Sequence, residues 1–424
     1  MNKLPFNPSN CINLYMIGFH FRNLILALII VSQGMVFPKD ANRYPIILVH
    51  GFMGWGTDEM AGYRYWGGKH DIEEYLKNKG YEVYTASIGP VSSNWDRAAE
   101  LYYQIKGGQV DYGKLHSEKF GIIQKPEKKH FPGLYPEWDS ENPVHLIGHS
   151  MGGQTARMLL YQLTNIIHSD SLGLVTEESS LLGNSHIAWV HSITSISTPH
   201  DGTTLSNIVT STAPFLQDFI ALASVVGNNF YSFDLEQWSF GKDDEEPWMS
   251  YFRRMREHPA WQTKNICSWD ASIDGARELN TFMTAEKNVY YFSFATSSTV
   301  LDSATGFHVP QNNMPFILRP YARNMGKKID YWDDGSSTDS TWFENDGIVN
   351  TVSMRSPTTG LLGPDPAADY FANQDLQPGM WYFMGTIPVD HRKPVAHFLS
   401  DIYTIENVYS LFEDHCRLLY SLPE

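Results

Sequence analysis

A serine flanked by glycines, Gly148-His-Ser150-Met-Gly152, follows the apolar run Pro143-Val-His-Leu-Ile147. A serine hydroxyl is a poor nucleophile unless a histidine takes its proton and a carboxylate orients that histidine. Two downstream segments supply those types. Glu344-Asn-Asp-Gly-Ile-Val-Asn350 places Asp346 in a turn entering an apolar strand, and Val389-Asp-His391 places His391 in a late loop. Taken singly, a loop aspartate is more often a turn former and a lone histidine a surface group. Their order after the serine, carboxylate first and histidine second, makes them candidates together. The chemistry would be acyl transfer, with Ser150 attacking a carbonyl and an oxyanion forming. That charge needs two aimed donors. One is the N–H of Met151, at the start of a helix. The other would come from the Gly-rich stretch His50-Gly-Phe-Met-Gly-Trp-Gly56, through the N–H of Phe52.

Short elements must hold these residues. Tyr44 to His50 reads as an apolar strand, Asp71 to Lys79 as a helix stopped by Gly80, and Tyr81 to Ile88 as a strand. Trp95 to Ile105 looks helical. Gly107 to Trp138, rich in Gly, Pro, Lys and His, reads as an inserted excursion. The serine turn leads into the helix Gln154–Leu163. Strands follow at Ile187–Ser197 and Asn288–Thr296, and a helical stretch at Val395–Leu422. Alternating strands and helices predict a mainly parallel sheet with helices on both faces. With a Gly-x-Ser-x-Gly elbow, this is the α/β-hydrolase pattern, in which the chain order is Ser, Asp or Glu, then His. In that turn Gly148 and Gly152 are required, because a Cβ at either position would collide with the neighbouring turn.

Composition bounds the rest. The chain has 424 residues, 42% of them hydrophobic, enough for one large domain over residues 35–424 with insertions near 95–138 and 207–260. A net charge of −16 argues against nucleic acid as a partner. Lys3 and Arg22 precede the apolar run Leu24–Val31, and Ser32-Gln-Gly34 offers small residues for cleavage. Residues 1–34 therefore read as a signal peptide, with Met16 as an alternative start and a retained anchor as the competing reading. The run has eight strongly apolar residues, too short to span a bilayer easily. Secretion without a stable membrane span is the expectation. Cys267 and Cys416 could form one disulfide in an exported protein, and the sequence leaves that open.

Seven stretches carry a family resemblance. They are His50–Gly56, Tyr65-Trp-Gly-Gly68, Gly89-Pro-Val-Ser-Ser-Asn-Trp-Asp-Arg-Ala98, Val110-Asp-Tyr-Gly113, Gly152-Gly-Gln-Thr-Ala-Arg-Met158, Thr198-Pro-His-Asp-Gly-Thr-Thr-Leu205 and Glu344–Met354. With them the chain resembles the secreted bacterial true lipases of the staphylococcal and thermoalkalophilic Bacillus-type group. Matched motif by motif, the resemblance implies Ser150 as nucleophile, Asp346 as acid, His391 as base, and Phe52 and Met151 as oxyanion donors. It implies no cofactor for the chemistry. It also implies a lid helix at about 214–226, whose apolar residues could cover the site and swing out at a lipid–water interface.

The family's metal sites match less well. Its structural zinc is held by two Asp and two His. The motifs map onto Asp96, His116 and Glu236, but Ile122 stands where the second histidine belongs. Zinc wants four donors. His130 or water could complete the set, or Asp96, His116 and Glu236 could form a hydrogen-bonded polar cluster instead. At the family's calcium site Lys393 replaces a carboxylate, and a backbone ligand would fall near Asp302. A cation there opposes calcium, so none is expected at that position. The acidic loop Asp330, Asp333, Asp334 and Asp339 could take a cation elsewhere or form a solvated surface.

The resemblance thus implies a secreted triacylglycerol lipase acting on acylglycerols. Two rivals stand beside it: a carboxylesterase for short soluble esters, and a catalytically silent lipid-binding homologue.

Overall fold

The computed structural model describes residues 42–170, 172–205, 236–238, 243, 245–256 and 263–424. The expected signal segment 1–34 and lid segment 214–226 lie outside the described residues.

In chain order the strands are β1 (Ile46–Val49), β2 (Val83–Thr85), β3 (Gly108–Gln109), β4 (His130–Phe131), β5 (Val144–His149), β6 (Val190–Ile196), β7 (Tyr290–Thr296), β8 (Thr299–Asp302), β9 (Phe307–Pro310), β10 (Ala367–Asp369) and β11 (Trp381–Ile387). Seven of them form one sheet in the order β10-β11-β7-β6-β5-β1-β2. Every neighbouring pair in it runs parallel. A parallel sheet of this kind needs cover on both faces. β1 shows that cover residue by residue. Ile46 and Leu48 pack with Trp66, Phe412 and Leu419, whereas Ile47 and Val49 pack with Leu101, Ile105 and Leu159. This is the period of two expected of a strand buried on both sides. Helices Ile72–Asn78 and Ile405–Tyr420 serve the first face, and helices Asn94–Lys106 and Met151–Thr164 the second.

The short helices carry ordinary start signals. Asp71 accepts the Glu74 N–H and Ser93 accepts the Asp96 N–H, each capping the helix that follows. The excursion over 107–138 holds the antiparallel β3–β4 ribbon and a helix at Lys114–Phe120.

The expected helix over Val395–Leu422 is shorter than its hydrophobic pattern suggested, running from Ile405 to Tyr420. Ala396 and Phe398 adopt left-handed backbone, with φ of 65° and 54°, and this breaks the expected helix at its start. That stretch closes on the neighbouring loop instead, where a Cβ on Gly68 would stand 2.8 Å from the Ala396 carbonyl oxygen. Sequence pattern also passed over the strands β10 and β11, which form one edge of the sheet. Cys267 and Cys416 are both buried free thiols.

Candidate active site

The sheet register brings the site together. Val49 lies opposite Gly148, so the loop leaving β1 and the turn leaving β5 emerge side by side. Thr296 lies opposite Ile387, so the ends of β7 and β11 do the same. Ligand sites of open parallel sheets lie beyond these carboxyl ends.

Ser150 has φ 56° and ψ −132°, a backbone conformation costly for a residue with a side chain. Three constraints hold it. Its N–H donates to the Ile196 carbonyl at 2.8 Å, and its own carbonyl accepts the Thr198 hydroxyl at 2.8 Å. The helix behind it passes so near β1 that a Cβ on Gly152 would stand 2.1 Å from the Val49 carbonyl oxygen. On Gly148 a Cβ would stand 2.4 Å from the Gly152 backbone. Both glycines are thus demanded by close backbone approach.

Asp346 is fully buried, and each of its carboxylate oxygens is engaged. Oδ1 accepts the N–H groups of Ile348 and Val349 at 2.9 and 2.8 Å. Oδ2 accepts the Thr296 hydroxyl at 2.6 Å and lies 2.7 Å from Nδ1 of His391. The Thr296 proton can serve one acceptor only. The 2.9 Å contact between Thr296 and Ser197 is therefore Ser197 donating in return. With Nδ1 held by the carboxylate, Nε2 of His391 remains for proton exchange. Ser150 and His391 line one cavity of about 70 Å³, together with Phe52, Tyr65 and Ile348.

The loop carrying Phe52 is fixed from below. The Ile88 N–H donates to His50 Nε2 at 3.2 Å, and Nδ1 reaches the Gly51 carbonyl at 2.9 Å. His50 is neutral, its pKa pushed down to about 3 by burial and then by the nearby Arg97. Arg97 is fully buried; it donates to the carbonyls of His50 and Gly89 and to the Thr155 hydroxyl, on the helix that begins at Met151. One guanidinium therefore links the Phe52 loop to the serine elbow.

The metal candidates are placed differently. Asp96 Oδ1 lies 2.8 Å from Nε2 of His116, whose ring stacks on Trp95. Asp96 Oδ2 accepts from Asn265 at 3.0 Å and from Gln237, the residue after Glu236, at 3.4 Å. His130 sits exposed on β4, paired with Gln109 of β3. Among the described residues no three His, Cys, Asp or Glu side chains are grouped to hold a metal. Asp96 and His116 come together as a polar pair, and among the described residues the four donors that zinc requires are not grouped around them. Lys393 is buried, its ammonium donating to the Asp390 carboxylate and to the Asn313 carbonyl at 3.2 Å. These oxygens already hold a cation, which does not fit a calcium ion at the same place.

A model of the family described as "Lipase-like, C-terminal domain" matches residues 42–396. The chain belongs to that family. The lipase of Staphylococcus hyicus is 33% identical over 358 residues, covering 82% of this chain and 52% of its own length. Lipase 1 of Staphylococcus aureus is 34% identical over 352 residues, covering 80% and 48%. This lipase-like domain therefore spans about half the length of those curated relatives. Among solved structures, EstA from Clostridium botulinum is 37% identical with a TM-score of 0.81, over 93% of this chain and 90% of that one. Lipase 1 from Pelosinus fermentans is also 37% identical, with a TM-score of 0.77 over 90% and 100%. The fold is accordingly that of the lipase-type α/β-hydrolases.

Several residues of the lipase-like domain that touch the site gave no sign of it in the sequence. Thr296 ends an ordinary apolar strand, Asp390 reads like loop polarity, and Lys393 was marked only as a cation opposing calcium. Tyr65 and Arg97 were visible only as members of the family-like stretches, with no role attached.

Proposed function

We propose that this protein is a serine hydrolase of carboxylic esters, acting on acylglycerols at a lipid–water interface. The observation that carries the reading is the strained Ser150 beside a histidine whose Nδ1 is held 2.7 Å from a buried carboxylate. Ser150 Oγ attacks the ester carbonyl while His391 Nε2 takes its proton. Asp346 keeps Nδ1 protonated and stabilises the imidazolium. The N–H groups of Phe52 and Met151 bind the oxyanion. The tetrahedral species collapses, and the alcohol leaves with the proton from His391. Water, losing its proton to His391, then releases the fatty acid and restores Ser150. Each of these steps uses groups of this chain.

The likeness to staphylococcal lipases supports acylglycerols as the substrate class. The leader-like residues 1–34 support export. A carboxylesterase for short soluble esters is favoured by one observation, the small cavity of about 70 Å³ at Ser150. The test is hydrolysis of p-nitrophenyl esters from acetate to palmitate, wild type beside Ser150→Ala. Long-chain activity that vanishes in the variant is the expected result. Activity confined to short chains would make it an esterase. No activity from folded protein would leave a silent lipid-binding homologue.

A further inference from the structure

A directed chain of hydrogen bonds crosses the site, using none of the three side chains that carry the proposed chemistry. The Gly51 N–H lies 2.9 Å from the Tyr65 oxygen. That oxygen lies 2.7 Å from His149 Nδ1, and His149 Nε2 lies 2.9 Å from the main-chain carbonyl of His391. Tyr65, His149 and His391 are all buried.

The protons in this chain can be assigned without seeing them. A carbonyl only accepts, so His149 Nε2 must carry a hydrogen. Burial, then the neighbouring His391, lowers the His149 pKa well below its ordinary value, so the ring is neutral. Its Nδ1 is therefore a lone pair, and the Tyr65 hydroxyl must donate to it. The tyrosine oxygen then accepts from Gly51. Burial pushes the Tyr65 hydroxyl up to about 12, so it keeps its proton. Every link has one permitted direction, from the loop of Phe52 to the loop of His391.

We propose that Tyr65 and His149 are positioning residues that lock the oxyanion loop and the His391 loop to each other across the serine elbow. The proposal rests on the hydrolytic reading above. Gly51 precedes Phe52, and His149 precedes Ser150, so one chain sets the donor, the nucleophile and the base from a common origin. These segments lie far apart in sequence: Tyr65 and His149 are 84 positions apart, and His149 and His391 are 242 apart. Small misplacements of such groups are costly, since a shift of about 1 Å can lower a rate by about a hundredfold.

The test is steady-state kinetics on p-nitrophenyl butyrate with four variants. Tyr65→Phe and His149→Leu should each lower kcat about tenfold while KM moves less than about twofold. Because both break one chain, the double variant should be no more than about twofold worse than the poorer single variant. His149→Gln offers an amide oxygen to Tyr65 and an amide N–H to His391, so it should return to within about threefold of wild type. Multiplicative losses in the double variant, or a Gln variant as poor as Leu, would overturn the proposal. A fall in melting temperature with kcat unchanged would do the same, because it marks a purely structural role. Nitrogen-15 NMR of labelled histidine supplies an independent readout. A neutral Nε2–H tautomer at His149 is required, and an Nδ1–H tautomer overturns the chain. If the wild type hydrolyses no ester, the hydrolytic reading fails and the tautomer alone judges the chain.

Discussion

Asp346 Oδ2 lies 2.7 Å from His391 Nδ1 and shares that oxygen with the Thr296 hydroxyl at 2.6 Å. Asp346 lies in the long connection after β7 and His391 in the loop after β11, and Thr296 at the end of β7 bonds the carboxylate between them. Asp346→Asn keeps the shape but puts a neutral amide against the imidazole. It should lower kcat by roughly 10³- to 10⁴-fold with little change in melting temperature. Thr296→Val removes the hydrogen bond to the Asp346 carboxylate, worth about 1 kcal/mol, and should lower kcat about fivefold. Both are read on a soluble ester with thermal melts alongside. A retained rate in Asp346→Asn would mean that the carboxylate does not orient the base.

The elbow glycines make a stability prediction. On Gly152 a new Cβ would press on the Val49 carbonyl, with no flexible side chain to yield. Gly152→Ala should destabilise by about 3 kcal/mol or more, or fail to accumulate as folded protein. Gly62 has φ 85°, but a Cβ added there would meet nothing within 4 Å. Gly62→Ala should cost only the backbone strain, about 1 kcal/mol. Urea unfolding of the pair checks the contrast, and equal costs would remove close approach as the reason for Gly152.

Lys393 and Asp390 form a fully buried ion pair just past His391. Removing one partner leaves a buried charge uncompensated. Lys393→Met should therefore lose roughly 3–5 kcal/mol, and adding Asp390→Leu should recover most of it. Millimolar calcium, enough to fill weak extracellular sites, should leave the wild-type melting temperature unchanged. A rise of several degrees would show that oxygens near this loop bind calcium after all.

Buried histidines set the response to acid. Burial pushes His50 and His415 down to about 3, and His191 and His397 down to about 4. Unfolding returns each toward about 6.5, so below that pH the unfolded chain binds more protons. Their contribution to stability is complete above about 6.5 and is lost as the pH falls toward 4. Burial lowers His145, His149, His200 and His308 in the same way. Asp270, pushed up to about 8, and Asp201, Asp390 and Glu177, also raised by burial, act in the opposite sense but are fewer, four carboxylates against eight histidines among the described residues. Melting temperature should fall steadily between about pH 6.5 and 4.5. A flat profile across that range would mean these histidines are charged in the native state.

The candidate site was legible where short-range constraints decide it. The apolar run before Gly148 and the two glycines around Ser150 specify a strand ending in a strained turn. Asp346 and His391 could be picked by order and by the segments around them. The alternation of apolar strands with helices pointed to a parallel sheet, and that is what the chain forms. The end of the chain was misread, because apolar spacing over 395–404 looked helical while left-handed Ala396 and Phe398 break it.

By itself, then, the sequence determined the strained Gly-x-Ser-x-Gly turn, the residue types around it and the layered α/β architecture, because each depends on neighbours within a few residues. Tertiary structure alone decided which side chains meet. Thr296 reaches Asp346 only because the turn at Asn345 folds back onto the residues that follow β7. Tyr65 reaches His149 only because β1 and β5 end together. Lys393 is a buried counter-ion rather than a surface charge only because its loop folds inward onto Asp390 and Asn313. Most of these contacts join residues tens to hundreds of positions apart, and no local periodicity records them.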